Sequence, residues 1–388
     1  MTIWHPVDDP HSDLTSHDTF SSGVPHNTFA RLRNEDPIHW TNYKEGKGFW
    51  SITRHHDIAK MIGNTKVFTS EQGIRMEDQT HEEYLARRTF QEIDGTGHRN
   101  SRMKVAKAFS GPVIIEFEEK IRNLCSEILD NTLPMIDFDA TKHIARELPM
   151  RMLGRILGLP EEDLPWLVEK GDALIANTDP DFTDHVLDKL NTNEFRLMPH
   201  NSPAGAELYE YAETLMEKRL KTDNTNSILH MVMQPAVDGS KLSETEFKNF
   251  FCQLVAAGND TTRYSTAAGI HALCHQPELL KQMKNEPTVW ETAPDEIVRW
   301  ASPVNYFRRT ATKDFSIHNK IIKKGDKVLY WFASGNRDSN EFTNPFKLDL
   351  YRTPNKHQAF GQGGPPLCLG RWWARLESRC VVPDLSTG

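Results

Sequence analysis

A glycine-rich loop that ends in a cysteine and runs straight into a helix constrains this chain more than any other stretch. It reads Phe360-Gly-Gln-Gly-Gly-Pro-Pro-Leu-Cys-Leu-Gly370, with helix-like spacing from Arg371 to Glu377. The positive end of a helix dipole and its unpaired backbone N–H groups favour the thiolate of a cysteine placed there. Glycines such as Gly361 and Gly370 have no Cβ, so a flat ligand can lie against the backbone. A soft anionic sulfur at Cys368 suits haem iron, where a thiolate pushes electron density toward O–O cleavage. A small buried cysteine beside a turn accounts for the same residues. The loop alone leaves both readings open.

Three further segments bear on the choice. Glu296-Ile-Val-Arg299 sets a carboxylate and a guanidinium three residues apart on one helix face. Ala257-Gly-Asn-Asp-Thr-Thr262 puts an acid–alcohol pair inside an otherwise apolar helix, and His98-Arg-Asn-Ser-Arg102 puts two cationic groups one turn apart. In this order, with the cysteine loop last, the set resembles the cytochrome P450 family of haem-thiolate monooxygenases. The resemblance runs from about Pro25 to about Glu377. It implies a mainly α fold with minor β: one large helical haem domain over 25–377, an N-terminal extension over 1–24 and an atypical tail over 378–388. Family members continue past the cysteine helix with strands and a pocket-lining loop, so the fold is expected to be truncated at its C-terminus.

Size and composition agree. A chain of 388 residues can bury a large core, and no linker, repeat or low-complexity segment divides it. The formal net charge of −8 argues against general affinity for nucleic acid or anionic membrane. The N-terminus lacks the basic-then-apolar layout of a signal peptide, and no apolar run approaches the roughly 20 residues of a spanning helix. Cys125, Cys252, Cys274, Cys368 and Cys380 are odd in number and lack metal-site spacing, which points to a reducing cytoplasm. A soluble cytoplasmic protein without a membrane anchor is expected.

Hydrophobic spacing predicts helices over 25–34, 56–63, 98–131, 140–157, 183–193, 204–222, 277–285 and 293–301, and a long one over 243–275. Ser243-Glu-Thr-Glu246 is a capping-box-like start to the last of these. A small hairpin is expected over 39–53, and strands between Tyr306 and Trp331 with Lys324-Gly325-Asp326 as a hairpin turn. Segment 70–92 has no clear period. Gly258 costs a helix about 0.8–1.0 kcal/mol relative to Ala, which suggests a local opening there.

By resemblance, Cys368 is the metal ligand of haem b, and Ala257, Gly258, Phe360, Gly361 and Gly370 lie against the cofactor. Thr261 is the alcohol that steadies bound dioxygen and Asp260 the acid that relays protons. His98, Arg102 and Arg309 meet the propionates, Arg308 being the weaker match. Glu296 and Arg299 form a buried architectural lock, with Lys347 where the family has a third, arginine partner. Pro366 replaces a propionate-binding residue. Ala256, Val304 and the 70–92 segment are the substrate-pocket candidates. Each motif also has a plain reading: a solvated basic face for His98 and Arg102, an ordinary helical ion pair for Glu296 and Arg299.

The reaction implied is insertion of one atom of O2 into a C–H bond of a hydrophobic molecule, a steroid side chain, terpenoid or alkyl chain. Electrons would come from a ferredoxin and its NAD(P)H-dependent reductase, with Arg99, Lys104, Lys107, Arg371 and Arg375 as a candidate docking patch. A non-catalytic haem-binding remnant and a peroxide-driven peroxygenase are the rivals.

Overall fold

The helix Glu244–His275 runs through the middle of the molecule. Its start is set by side-chain chemistry. Ser243 Oγ accepts from the backbone N–H of Glu246 (3.2 Å), and Glu246 Oε2 accepts from the N–H of Ser243 (2.8 Å), the reciprocal pair read from the sequence. Ser243→Ala is expected to destabilise the protein by about 1 kcal/mol. An unchanged urea midpoint would show that the cap contributes nothing.

In the computed structural model the described residues are 9–44, 46–177, 179, 181, 193–219, 227–235, 239–362 and 367–387. The segment expected as a helix at about 183–193 falls almost wholly outside them, and Pro366 entirely. Phe247, Phe251 and Val255 of the long helix are buried in one cluster with Leu148, Leu167, Leu174 and Leu208. These come from the helices Glu147–Leu157, Leu164–Ile175 and Pro203–Arg219, which wrap one side of it. The helices His26–Glu35, His55–Ile62, Pro277–Asn285 and Ala293–Ala301 stand where the apolar spacing put them. The 98–131 stretch is broken into Gly95–Ala106, Gly111–Ile115 and Glu118–Thr132. Among the described residues no helix is long and apolar enough to cross a membrane. The class is mainly helical with small sheets.

Five strands form a mixed sheet: β1 (Ile38–Thr41), β2 (Phe49–Ile52), β3 (Phe68–Thr69), β4 (Tyr306–Ala311) and β7 (Lys327–Trp331), in the order β1-β2-β7-β4-β3. β1 and β2 form the expected hairpin, Trp40 opposite Trp50. β2 runs parallel to β7, and β7 antiparallel to β4, pairing Tyr306 with Trp331 and Thr310 with Lys327.

The turn at Lys324-Gly325-Asp326 is present, but it does not close a hairpin. It leads out of β6 (Lys320–Ile322), which pairs with β5 (Phe315–Ile317) in a separate two-stranded sheet, and into β7, which pairs with β4. The tight hairpin turn is His318-Asn319, with φ of 44° and 60°, the positive pair that a type I′ turn requires.

Three more elements differ from the spacing. Segment 70–92 holds a helix, His81–Arg87, opened by a full capping box from Thr80 and Glu83. A short helix, Phe332–Gly335, follows β7 in a stretch expected as coil. The cysteine helix runs Arg371–Thr387, well beyond Glu377.

Candidate active site

The cysteine loop and the long helix face each other across one cavity of about 470 Å³. From the loop come Phe360, Gly361, Cys368 and Gly370; from the helix come Ala256, Ala257, Gly258 and Thr261. Val304 and Arg309 enter from β4 and the turn before it, and His98 and Arg102 from the helix Gly95–Ala106. The 70–92 segment supplies wall from residues 73–75, 77–79, 87 and 89–92. Residues from five separate stretches of sequence therefore meet in one place.

Cys368 is held by its backbone: its N–H donates to the carbonyl of Phe360 (2.8 Å), and Arg371 Nη1 donates to its carbonyl (3.2 Å). Burial pushes the thiol up, against the backbone N–H groups of Gly370 and Arg371 and the charges of Arg102 and Arg371, which pull it down. The helix terminus does aim N–H groups at the sulfur, as expected, but desolvation outweighs them. In the protein alone the thiol form is favoured, so the anion needs a metal partner.

Gly258 does not open the long helix, which is continuous across it; a Cβ there would meet only Leu153 Cδ2, at an ordinary 3.5 Å. Room in the cavity along this part of the helix comes instead from the small size of Ala257 and Gly258, which both line it. Thr261 lines the cavity, its Oγ1 donating to the carbonyl of Ala257 (2.8 Å).

Asp260 does not line the cavity. Neighbouring helical positions point about 100° apart, and Asp260 is turned to Arg263, whose Nη2 meets its Oδ1 at 2.5 Å. Arg263 Nη1 also donates to Asp172 Oδ1 (2.7 Å), and Asp172 further accepts from Asn259 Nδ2 (3.0 Å) and Arg146 Nε (2.6 Å). The acid–alcohol pair of the sequence is thus split. The alcohol faces the cavity, and the acid belongs to an ion-pair network behind it that the motif did not announce.

Of the two arginines in β4, Arg309 lines the cavity, whereas Arg308 donates to Asp78 Oδ1 (3.0 Å) and the carbonyl of Glu77 (2.7 Å). Arg309 is buried, with Nη1 on the carbonyl of Arg308 (2.7 Å). His98 Nδ1 donates to the carbonyl of Phe90 (2.7 Å), and Arg102 lies over the Phe90 ring. Burial lowers the pKa of both Arg102 and Arg309, and among the described residues neither has a carboxylate within 4 Å. Desolvated guanidinium groups without anions are expensive. A haem answers these needs: one soft-ligand position at Cys368, two propionates for Arg102 and Arg309, and glycines where the macrocycle lies close. The residues fit the group.

Glu296 and Arg299 are fully buried and bidentate, at 2.7 and 2.8 Å. Lys347 is not their third partner. Its side chain is exposed, and only its carbonyl takes part, accepting from Arg299 Nη2 (3.2 Å). The third side chain is Arg352, Nε to Glu296 Oε2 at 3.0 Å, joined by Asn355 Nδ2 at 3.2 Å. The loop folds back after Leu350, so the partner comes from five residues later than position matching indicated.

Glu377 is a further residue that the motifs did not mark as part of the site. It lines the cavity from the cysteine helix, burial pushes its carboxyl well up, and Oε2 has no hydrogen-bond partner among the described residues. Among the docking candidates, Lys104 is paired with Glu246 (3.1 Å) and Arg375 with Asp295 (2.9 Å), and Arg371 stacks on Trp372; Arg99 and Lys107 are exposed.

The family model for cytochrome P450 matches residues 18–385. The chain belongs to the cytochrome P450 family. It is 32% identical to a methyl-branched lipid omega-hydroxylase of Mycobacterium tuberculosis, over 92% of this chain and 83% of that protein. It is 30% identical to a steroid C26-monooxygenase of the same organism, over 99% and 89%. Among solved structures it superimposes on a Mycobacterium marinum cytochrome P450 in complex with pseudoionone with a TM-score of 0.86, 31% identity and coverage of 98% and 92%. As a P450 it is an oxidoreductase that incorporates oxygen, and the fold is the P450 fold.

Proposed function

We propose that this P450 binds haem b through Cys368 and hydroxylates a branched lipid or steroid side chain near a terminal methyl, with electrons from a ferredoxin and its NAD(P)H-dependent reductase. The observation that carries the reading is that Cys368 and Thr261, from elements far apart in sequence, line one cavity together with the apolar Ala256, Ala257 and Val304. Similarity to a lipid omega-hydroxylase and a steroid C26-monooxygenase supports the substrate class.

The bound haem supplies the site at which dioxygen is reduced. The chain's own residues do the rest. Cys368 anchors the cofactor, while His98, Arg102 and Arg309 hold its propionates. Ala256 and Val304 shape the apolar wall that orients the C–H bond and excludes bulk water. Thr261 Oγ1, now on the carbonyl of Ala257, is placed to turn its hydroxyl into the cavity and donate a hydrogen bond there. Asp260 sits one position behind it and passes a proton forward only when it leaves Arg263. The sum is R–H + O2 + 2 electrons + 2 protons giving R–OH and water.

Reduction under carbon monoxide should give the thiolate-type Soret band, and turnover should require ferredoxin. A band at the position of a neutral ligand would sink the assignment, and turnover with peroxide alone would favour a peroxygenase. Thr261→Ala is expected to keep its haem yet lose product per NAD(P)H by about ten- to hundredfold, the worth of a hydrogen bond to a charged group. The missing equivalents should appear as peroxide. Unchanged coupling would remove Thr261 from the mechanism.

A further inference from the structure

The residue before Glu296 has partners of its own. Asp295 accepts from Nε2 of His357 (3.1 Å) and from Arg375, at 3.0 Å from Nε and 2.9 Å from Nη2. Its helix, Ala293–Ala301, is thereby tied to the coil that enters the cysteine loop and to the helix that leaves it. His357 is buried, and both of its ring nitrogens are engaged. Nδ1 accepts from the backbone N–H of Ala359 (3.3 Å), which puts the proton on Nε2 and leaves that nitrogen to donate to Asp295. Burial pushes the Asp295 carboxyl up, but the hydrogen bonds from His357 and Arg375 outweigh it and hold it below the usual carboxylate range. A charged acceptor makes the stronger bond. The imidazole is held on one side by a helix and on the other by the loop.

Two of these side chains also frame Phe360. Its ring centre lies 5.3 Å from that of His357, with the planes at 59°, and the guanidinium carbon of Arg375 lies 5.2 Å from it. The contacts close into a circuit: His357 to Asp295, Asp295 to Arg375, Arg375 to Phe360 and Phe360 back to His357. Phe360 is the residue whose carbonyl takes the N–H of Cys368 (2.8 Å). Ala359 and Phe360 line the cavity, whereas His357, Asp295 and Arg375 do not. The circuit therefore bears on the cysteine from outside the cavity. It is separate from the Glu296 lock, which reaches the same loop through Asn336 and Gln358.

We infer that His357 is a positioning residue for the Cys368 ligand: by bridging Asp295 and the Ala359 N–H it fixes Phe360, and with it the backbone that keeps the sulfur on the metal as a thiolate. This rests on the haem-thiolate reading above and adds to it a residue outside the cavity. The need for such a device follows from the site itself. Burial favours the protonated sulfur, so the anion depends on its bond to the metal. A loop that slackens lets the sulfur leave, and the proton then returns to it. Groups that orient a ligand from behind are worth nearly as much as the ligand's own surroundings.

The test follows the haem-loaded protein, reduced with dithionite under carbon monoxide, as its thiolate-type band decays into the band of a neutral ligand. His357→Leu should hasten that decay about tenfold, the lower end of what the outer partners of a metal ligand are worth, with far-UV circular dichroism unchanged. Asparagine places an oxygen where Nδ1 stands, and glutamine places an N–H where Nε2 stands. His357→Gln should therefore restore more of the parent rate than His357→Asn, because its bond goes to a charged acceptor. A parental decay rate in His357→Leu overturns the inference. So does the same acceleration in all three variants, which would mean that the imidazole only fills space. Should His357→Leu not fold, Arg375→Gln decides, since it keeps the His357–Asp295 bond and cuts the link to the cysteine helix. It too should decay faster, and a parental rate there overturns the inference. A thiolate-type band in the parent with unmoved variants leaves the haem-thiolate reading standing and only the role of His357 lost. Absence of that band in the parent fails the haem-thiolate reading itself, and this inference with it.

Discussion

Cys368→Ser folds like the parent chain, but its reduced carbon monoxide complex lacks the thiolate-type Soret band and its turnover falls below about one hundredth. That is the expected result, and each half has a cause in the structure. Folding is spared because the loop is held through the backbone of residue 368, by its N–H on Phe360 and its carbonyl on Arg371, and serine keeps both. Chemistry is lost because burial already disfavours the anion of Cys368, and a serine hydroxyl, harder and far less acidic, gives it up less readily still. Changing groups that merely support a metal ligand costs about 10–100-fold in affinity or activity, and removing the ligand exceeds that. Circular dichroism and urea midpoints check the first half, and the carbon monoxide spectrum and product assay the second. A serine variant with an unaltered spectrum would mean that another side chain ligates the metal.

What the sequence discloses and what it withholds follow the range of the interactions involved. The long helix and its start were legible because Ser243 and Glu246 satisfy each other's backbone within one turn. The same signature, Thr80 with Glu83, opens the helix His81–Arg87 inside a segment that looked irregular, so this element was available to a closer reading of caps. The turn at Gly325 was legible as a turn, since its φ of 85° needs a glycine. Which strands it joins was not, because β7 chooses β4 and β2 over its neighbour in sequence. The same limit explains Lys347. Matching positions along a motif assumes a constant loop path, and only the fold shows that Arg352 is the side chain that reaches Glu296. The separation of Asp260 from Thr261 was within reach, since adjacent helical residues cannot share a face. Its partner Asp172, on another helix, was not.

Breaking the lock at Glu296 is expected to act in the opposite way from Cys368→Ser, through the fold first and the chemistry second. Glu296→Ala leaves the Arg299 guanidinium charged and fully buried. Loss of one member of a buried pair costs about 3–5 kcal/mol, against a total of about 5–15 kcal/mol for an ordinary domain. The same change strips acceptors from Arg352 Nε, Asn355 Nδ2 and the N–H of Asp349 (2.9 Å). Arg352→Ala should cost less, about 1.5–3 kcal/mol for one charged hydrogen bond, because Glu296 and Arg299 stay paired. Lys347→Ala should fall within about 0.5 kcal/mol of the parent, its side chain being exposed. Haem retention should follow the same order. Arg299 Nη1 donates to the carbonyl of Asn336 (2.8 Å), and Asn336 Oδ1 accepts from the N–H of Gln358 (2.7 Å). From there the chain continues to Phe360, whose carbonyl receives the N–H of Cys368. A loosened Glu296 thus reaches the sulfur through that series of bonds without touching the cavity. Urea midpoints and haem content of the three variants decide it: if Lys347→Ala costs as much as Arg352→Ala, the third partner has been misassigned, and if Glu296→Ala unfolds at the parent midpoint, the pair holds nothing.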